Sequence, residues 1–571
     1  MSKNTFLKTI HFKEIGFLLF IYSIIYFWYT YPTITCFSTA VIGKNDPFQV
    51  IWNMYIFETG LHAGKLWTTQ QSFYPWNTSL IFHEYTPFLD VLSLIIHNKI
   101  LLLNIVIYGM FISSAVGAFY LSKQFISNRY FAFICGFIFA FSPYKMSRIE
   151  EHYPLIQTVI IPCFFLVFIK TFSFESFNIF PRIKSYKNIV LLICLGLFSI
   201  TLDYLVTFQM ACISTIYFMF FYGHKLYSSN KRYFWIYLAT FFVLMHVLIA
   251  WLLHIGTDDK GAFWWSGKWS DYIIPYNSIV YSGLTTKLWN YFEIQSRSIE
   301  SVMFIGYSFI LILILTFIIL LKKRIFDLKI QALIFCFLML FLMVMPVFKL
   351  PFSFVFYPPT AILHFLPIIK NLRCPTRFIN IIMLVAPIIV FYVLEQLYFN
   401  SKYKIAFATL FFILLFIEYF PKPYAHIDYK SIPKVYYVLK DKPNESVLVY
   451  PLGLRDGMKL EGKFDIETMQ YQTVYRKKTM GGYISRLEDW MWYVHYQNAF
   501  TNSLLQLEKD SLYSIPNADY ISALKMLKLD YVVIPQKYKD EKAAIFLQST
   551  VKSHIIKSEL INGDLLLSLS R

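Results

Sequence analysis

Residues 15–47 read IGFLLFIYSIIYFWYTYPTITCFSTAVIGKNDP. The apolar run from Ile15 to Tyr31 is long enough to cross a bilayer as one helix, for which roughly 17–25 apolar residues are needed. It is too long and too bulky for a secretory leader, and no small-residue cleavage site follows it. Lys3, Lys8 and Lys13 precede the run, and basic residues stay on the cytoplasmic side of a membrane. The expectation is an uncleaved first span that starts in the cytoplasm and delivers Asp46 to the opposite face.

Further apolar runs lie near 100–121, 127–142, 154–172, 187–202, 205–222, 233–254, 302–321, 330–349, 379–398 and 404–420. Together they predict a polytopic α-helical membrane protein with about 11 transmembrane helices. Charge tests that count, because alternate loops should be basic. Lys123/Arg129, Arg182/Lys184/Lys187, Lys225/Lys231/Arg232, Lys322/Lys323/Arg324/Lys329 and Lys402/Lys404 fall in alternate loops. Were 187–222 a single broken span, the later clusters would face outward, so two spans meeting at Asp203 are preferred.

The 571 residues are 57% hydrophobic and 20% aromatic but only 15% charged, against about 25% in soluble proteins. A soluble enzyme, a disordered chain and a disulfide scaffold are excluded. Residues 1–420 hold 31 basic and 17 acidic residues, residues 421–571 hold 21 and 17. A transmembrane domain over 1–420, with a large first outward loop at 32–99, is therefore expected to precede a small C-terminal α/β domain over 421–571. Short β-rich runs at 446–453, 530–536 and 564–570 alternate there with helical stretches at 501–509 and 520–528. With eleven spans this domain lies outside the cytoplasm, and the chain sits in the cell inner (plasma) membrane. Apolar stretches at 48–61 and 80–96 are too short to span and suit helices lying in the interface. The seven cysteines show no metal spacing and read as free thiols rather than a Cys36–Cys374 bridge.

Thirteen of the 17 acidic residues in the first 420 fall on the outward side. Carboxylates at a membrane face are costly unless wet, paired or functional, so chemistry is expected there. In IGKNDPFQVIWNMY (42–55), Asp46 stands before Pro47 at the mouth of a helix, as an active group or as a helix cap. FYPWNTSLIFHEYTP (73–87) holds Glu84 beside His83, to position an acceptor hydroxyl or simply as a solvated charge. FAFSPYKMSRIEEHYPLIQ (139–157) packs Lys145, Arg148, Glu150 and His152 into one turn, where Arg can grip a phosphate in bidentate fashion or pair with a neighbouring carboxylate. Asp203 in SITLDYLVTF (199–208) reads as a functional acid or a turn cap. In FLPIIKNLRCPTRF (365–378), Arg373 and Arg377 run against the positive-inside trend, which a bound anion or snorkelling would explain.

Taken in order, FYP…N…H…TP, FAFSPY…H, Asp203-Tyr204, Ile305–Tyr307, LRCPTRF, VLVYPLG (447–453) and YQTVYRKKTMGGYISR (471–486) resemble bacterial membrane proteins of the GT-C glycosyltransferase superfamily that carry a C-terminal outward domain. The resemblance implies transfer of a sugar from a polyprenyl-phosphate-linked donor to a glycan, lipid or protein acceptor on the outer face of the membrane. It implies inversion, with Asp46 as general base. Glu84, Glu150, His152 and Asp203 are the supporting acids or acceptor-positioning groups. Lys145, Arg148, Arg373 and Arg377 are the candidates for the lipid phosphate. Asp46 precedes a proline, so neither an Asp-Glu pair nor a DxD arrangement is present; no cofactor is expected and a metal is not indicated.

Other classes fare worse. The dense basic face of a nucleic-acid binder is missing, and so are P-loop, GxSxG and HExxH motifs. A transporter would place its ionisable groups mid-span and show repeats. A non-catalytic envelope-glycan assembly factor of the same fold is the other alternative.

Overall fold

The computed structural model describes residues 12–81, 83–177, 181–254, 266–292, 298–323, 327–349, 351, 355–361, 374–397, 401–429 and 431–570. By contact the chain divides into two compact units, Met1–Thr35 with Ile105–Ala425, and Cys36–Asn104 with His426–Arg571. The second unit therefore takes in the first long loop together with the C-terminal stretch.

The first unit is helical. Among the described residues, five helical stretches are long and apolar enough to cross a membrane: Phe12–Tyr29, Lys99–Ser122, Tyr153–Thr171, Tyr204–Ser229 and Pro375–Gln396. Tyr186–Leu202, Tyr307–Lys322 and Leu328–Val344 are apolar but shorter. The helix Arg129–Phe141 has 13 residues and Lys231–His254 has 24. The helix Ile379–Gln396 is buried along nearly its whole length. It packs against Arg129–Phe141, where Phe391 stacks on Phe131 at 5.0 Å, and against Leu328–Val344 and Tyr307–Lys323. A helix apolar all round belongs in the centre of a bundle.

At Asp203 the chain breaks. Tyr186–Leu202 and Tyr204–Ser229 are separate helices that pack on one another. Asp203 is extended, and its side chain accepts from the Val206 N–H at 2.9 Å. An aspartate that satisfies an orphan N–H of the next helix is a strong start signal.

The second unit is built on a five-stranded sheet, ordered Lys478–Thr479, Ser446–Val449, Tyr531–Ile534, Asp564–Leu569 and Ile555–Ile561. The first three strands run parallel and the last two are antiparallel additions. Side chains alternate across a strand. Val447, Val449, Tyr531 and Val533 face a cluster with Val435, Tyr436 and Leu439 of the helix Lys434–Lys440. Leu448, Tyr450, Val532 and Ile534 face the larger core on the other side. That core also receives Trp52, Tyr55 and Ile56 from the helix Asp46–Ala63. Residues 47–56 of this helix are buried on all sides, so it is a core element and not a helix with one apolar face in an interface. Trp52 Nε1 donates to Gln472 Oε1 at 2.6 Å, tying it to the helix Glu467–Tyr475. A two-stranded ribbon, Ala40–Ile42 against His426–Asp428, joins the two chain segments of the unit. None of the seven cysteines is in a disulfide.

Candidate active site

Asp46 is the first residue of its helix. Asn45 occupies the cap position and Pro47 the second helical position, so Asp46 is not the cap. Its carboxylate lies in the first turn, where the helix dipole favours negative charge, and it is half-buried. One turn later Gln49 Nε2 donates to Ser485 Oγ at 3.3 Å. The same hydroxyl accepts from the Glu84 N–H at 3.2 Å. Ser485 also donates its N–H to His83 Nδ1 at 3.1 Å. That bond leaves the proton of the neutral ring on Nε2, which sits 2.8 Å from Asn53 Oδ1. Asn53 Nδ2 closes the network by donating to the Glu84 carbonyl at 2.7 Å. Burial pushes the His83 imidazole down to about 3, so this ring is a neutral strut that fixes the loop carrying Glu84.

Tyr483 feels the charge of both predicted acids. Burial, then the charges of Glu84 and Asp46, push its phenol up, while the Arg455 guanidinium acts in the opposite sense. Arg455 Cζ lies 5.0 Å over the Tyr483 ring. Asp46 and Glu84 are thus within electrostatic reach of one phenol, each half-buried and able to face solvent. Two such carboxylates beside an aromatic ring can orient a polyhydroxylated ligand and accept a proton from one of its hydroxyls. Tyr483, Arg455 and Ser485 were not separable in the sequence. Only the GGYIS turn at 481–485 hinted at them.

The helical unit holds a second cluster, centred on Glu300. This residue lies in the turn Ile299–Ser301, buried. Arg377 Nε donates to its Oε2 at 3.2 Å, and Arg377 Nη2 bonds Oε1. Arg148 Nη1 stands 3.1 Å from Oε2 and His152 Nε2 3.1 Å from Oε1. Burial alone would raise the Glu300 carboxyl, but Arg148, Arg377 and His152 outweigh it and hold it well below the ordinary range. Among the described residues, both guanidiniums lie within ion-pair distance of this one carboxylate. Arg148 is wholly buried, its guanidinium 4.5 Å over the Tyr144 ring. Its contact with Glu300 is an ion pair without hydrogen-bond alignment, and none of its three guanidinium nitrogens has a hydrogen-bond partner. Buried donors of this kind are costly unless something meets them.

Other predicted residues are placed apart from this cluster or at its edge. Lys145 is fully buried; its ammonium donates to Thr158 Oγ1 at 2.7 Å and lies over Phe111 and Phe139. Burial pushes it well down. Glu150 accepts from Asn277 Nδ2 at 3.2 Å. Asp203 caps its helix; burial raises its carboxyl, against the Val206 N–H and the field of Arg377. Arg373 lies outside the described residues. Glu300 carries no motif, and nothing local in the sequence pairs it with Arg377, 77 positions away. Among the described residues, no group of three or more His, Cys, Asp or Glu side chains could hold a metal ion.

No protein-family model and no curated protein matches the chain. Solved structures do. The oligosaccharyltransferase AglB of Archaeoglobus fulgidus, solved with an inhibitory peptide and a dolichol-phosphate, is 12% identical with a TM-score of 0.43, over 99% of this chain and 75% of that one. The arabinofuranosyltransferase AftD from Mycobacteria is 12% identical with a TM-score of 0.50, over 98% of this chain. The chain spans 42% of the length of that mycobacterial protein. At such identity the similarity is one of fold alone, shared with the mycobacterial AftD structure.

Proposed function

We propose that the protein is a membrane glycosyltransferase that moves a sugar from a polyprenyl-phosphate-linked donor to a glycan, lipid or protein acceptor on the outer face of the membrane. The observation that carries this reading is that two half-buried carboxylates, Asp46 and Glu84, both act on the Tyr483 phenol, with the Glu84 backbone tied to the helix of Asp46 through Ser485 and Asn53. The fold type agrees with it. Asp46 is the general base. It takes the proton of the acceptor hydroxyl as that oxygen bonds to the anomeric carbon, while the bond from the anomeric carbon to the donor phosphate breaks. A single displacement of this kind inverts the anomeric centre. Glu84 orients the acceptor. From the sequence, the leaving lipid phosphate is assigned to Arg148, Arg373 and Arg377, with Lys145 a lesser candidate. The domain over 421–571 belongs outside the cytoplasm and the N-terminus inside it.

The test is donor turnover in membranes carrying the intact protein or Asp46→Asn, with a radiolabelled polyprenyl-phosphate sugar pool. The substitution removes a base while nearly preserving shape, so label leaving the lipid fraction should fall by at least about 100-fold at unchanged protein level. Undiminished transfer would remove Asp46 from the mechanism. Absence of transfer by the intact protein across several donor sugars would favour transport or assembly instead.

A further inference from the structure

Ile555–Ile561 is the outermost strand of the five-stranded sheet and pairs on one side with Asp564–Leu569. Among the described residues, no strand pairs with its other side. Its Ile556 and Leu560 are 71% and 75% exposed. An open edge of this kind is a template for a further strand, and proteins blunt it with proline, brevity or repelling charge. This strand has seven residues, no proline and two charges of opposite sign, Lys557 and Glu559. The hairpin fixes which backbone groups face outward. Asn562 and Gly563, with φ of 53° and 93°, make a two-residue turn of the type I′ kind, closed by Ile561 opposite Asp564. The ladder is regular from there to Lys557 opposite Ser568. The closing pair and every second pair after it exchange hydrogen bonds across the ladder. Ile561, Glu559 and Lys557 therefore turn their N–H and C=O groups inward, and Leu560 and Ser558 turn theirs out to the open side.

We propose that two copies of this chain associate through Ile555–Ile561, paired antiparallel about Ser558. The strand reads IIKSELI and is complementary to itself in that register. Ser558 lies opposite the partner's Ser558, Lys557 opposite the partner's Glu559, and Ile556 opposite the partner's Leu560. Opposite charges facing each other across a ladder stabilise it, and here they do so twice by symmetry. The centre of the pattern falls on a residue whose backbone already points outward, so the two serines can exchange both hydrogen bonds on the two-fold axis. The irregularity between Ile555 and Lys557 lies outside the three central pairs. Within the chain Lys557 Nζ stands 2.8 Å from Glu559 Oε2, and Lys442 also bonds Glu559. An exposed pair such as Lys557–Glu559 contributes little, so exchanging it for the cross-strand pair costs little. A foreign strand would have no need of this symmetry, which is why a second copy is the occupant. This inference does not depend on the transferase reading.

The experiment is sedimentation equilibrium of the full-length protein in detergent over a concentration series, which gives the mass of the protein part. The wild type should equilibrate between one copy and two. Lys557→Glu and Glu559→Lys each set like charges opposite one another twice, and each should raise the dissociation constant by at least about tenfold. An equimolar mixture of these two variants should regain the wild-type constant, because every cross-strand pair is again of opposite sign. So should a single chain carrying both Lys557→Glu and Glu559→Lys, and either recovery shows that the variant chains are folded. Ser558→Pro removes an N–H that faces outward, which an edge strand tolerates, and should abolish association. A wild type of one copy at every concentration overturns the proposal and leaves the edge to a strand of a different protein. Undiminished association in both single-charge variants, or no recovery in either the mixture or the double exchange, overturns it as well.

Discussion

At the scale of single residues, Glu300 is the most consequential side chain outside the first loop. It is the only carboxylate within ion-pair distance of both Arg148 and Arg377 among the described residues. Glu300→Gln leaves those two guanidiniums buried without it. Removing one partner of a buried ion pair costs about 3–5 kcal/mol, so the unfolding midpoint of the full-length protein should drop clearly, by fluorescence or calorimetry. The sign with pH follows from the carboxyl being held well below its ordinary value of 4.5. Its contribution is fully present above that value and is lost as pH falls toward the folded-state value. The wild type should therefore lose stability on acidification below about pH 4.5 more steeply than Glu300→Gln; equal acid limbs would show that the carboxylate is not the hub. The cations of this cluster were legible in the sequence, because Arg148 and Arg377 stand where an outward loop was expected to be acidic. The hub was not. A carboxylate among thirteen on one face has no local mark, and its partners arrive only when the turns at 299–301 and 375–378 close on each other. Asp46 and Glu84 stood out by their settings, Asp46 before a helix-opening proline and Glu84 beside His83 among aromatic residues.

At the scale of elements, Asp203 decides whether residues 186–229 form one helix or two. The sequence allowed either a functional acid or a cap, and the geometry is that of a cap with its oxygen on the Val206 N–H. Asn caps nearly as well as Asp, and Ala does not. Asp203→Asn should leave stability nearly unchanged, whereas Asp203→Ala should cost about 1–2 kcal/mol, measured by unfolding in detergent. A collapse of sugar transfer in Asp203→Asn at unchanged stability would return the residue to the list of functional acids. Short β-rich runs made the strands at 446–449, 531–534 and 564–569 readable, and the runs are continuously apolar because opposite faces of one sheet meet two different apolar clusters. The helix from Asp46 to Ala63 was readable as a helix but not in its setting. Its partners Gln472 and Ser485 come from more than 400 positions away, and an apolar stretch looks the same whether lipid or protein covers it.

At the scale of the whole molecule, the number of membrane crossings sets the side on which every loop and the C-terminal stretch fall. Parity is the issue: one crossing more or fewer inverts everything downstream. The turn at Asp203 is where parity is most exposed, because 187–222 read as one broken span would carry residues 421–571 to the cytoplasm, away from where the proposed chemistry needs them. Two helices that pack against each other across a capped turn favour two crossings, and the alternating basic clusters favour the same count. Labelling with a membrane-impermeant maleimide decides the matter in a variant whose seven cysteines are replaced by serine. Two exposed positions carry the probe, Ser229→Cys between Tyr204–Ser229 and Lys231–His254, and Lys552→Cys in the C-terminal stretch. In intact spheroplasts Lys552→Cys should be labelled at once, and Ser229→Cys only after permeabilisation. Protection of Lys552→Cys until permeabilisation would invert the topology, move Asp46 or the C-terminal stretch to the wrong face, and make an outer-face transferase untenable. Labelling of both without permeabilisation would require an odd number of crossings before residue 229 and an even number between 229 and 552, a miscount on each side of the Lys225/Lys231/Arg232 cluster.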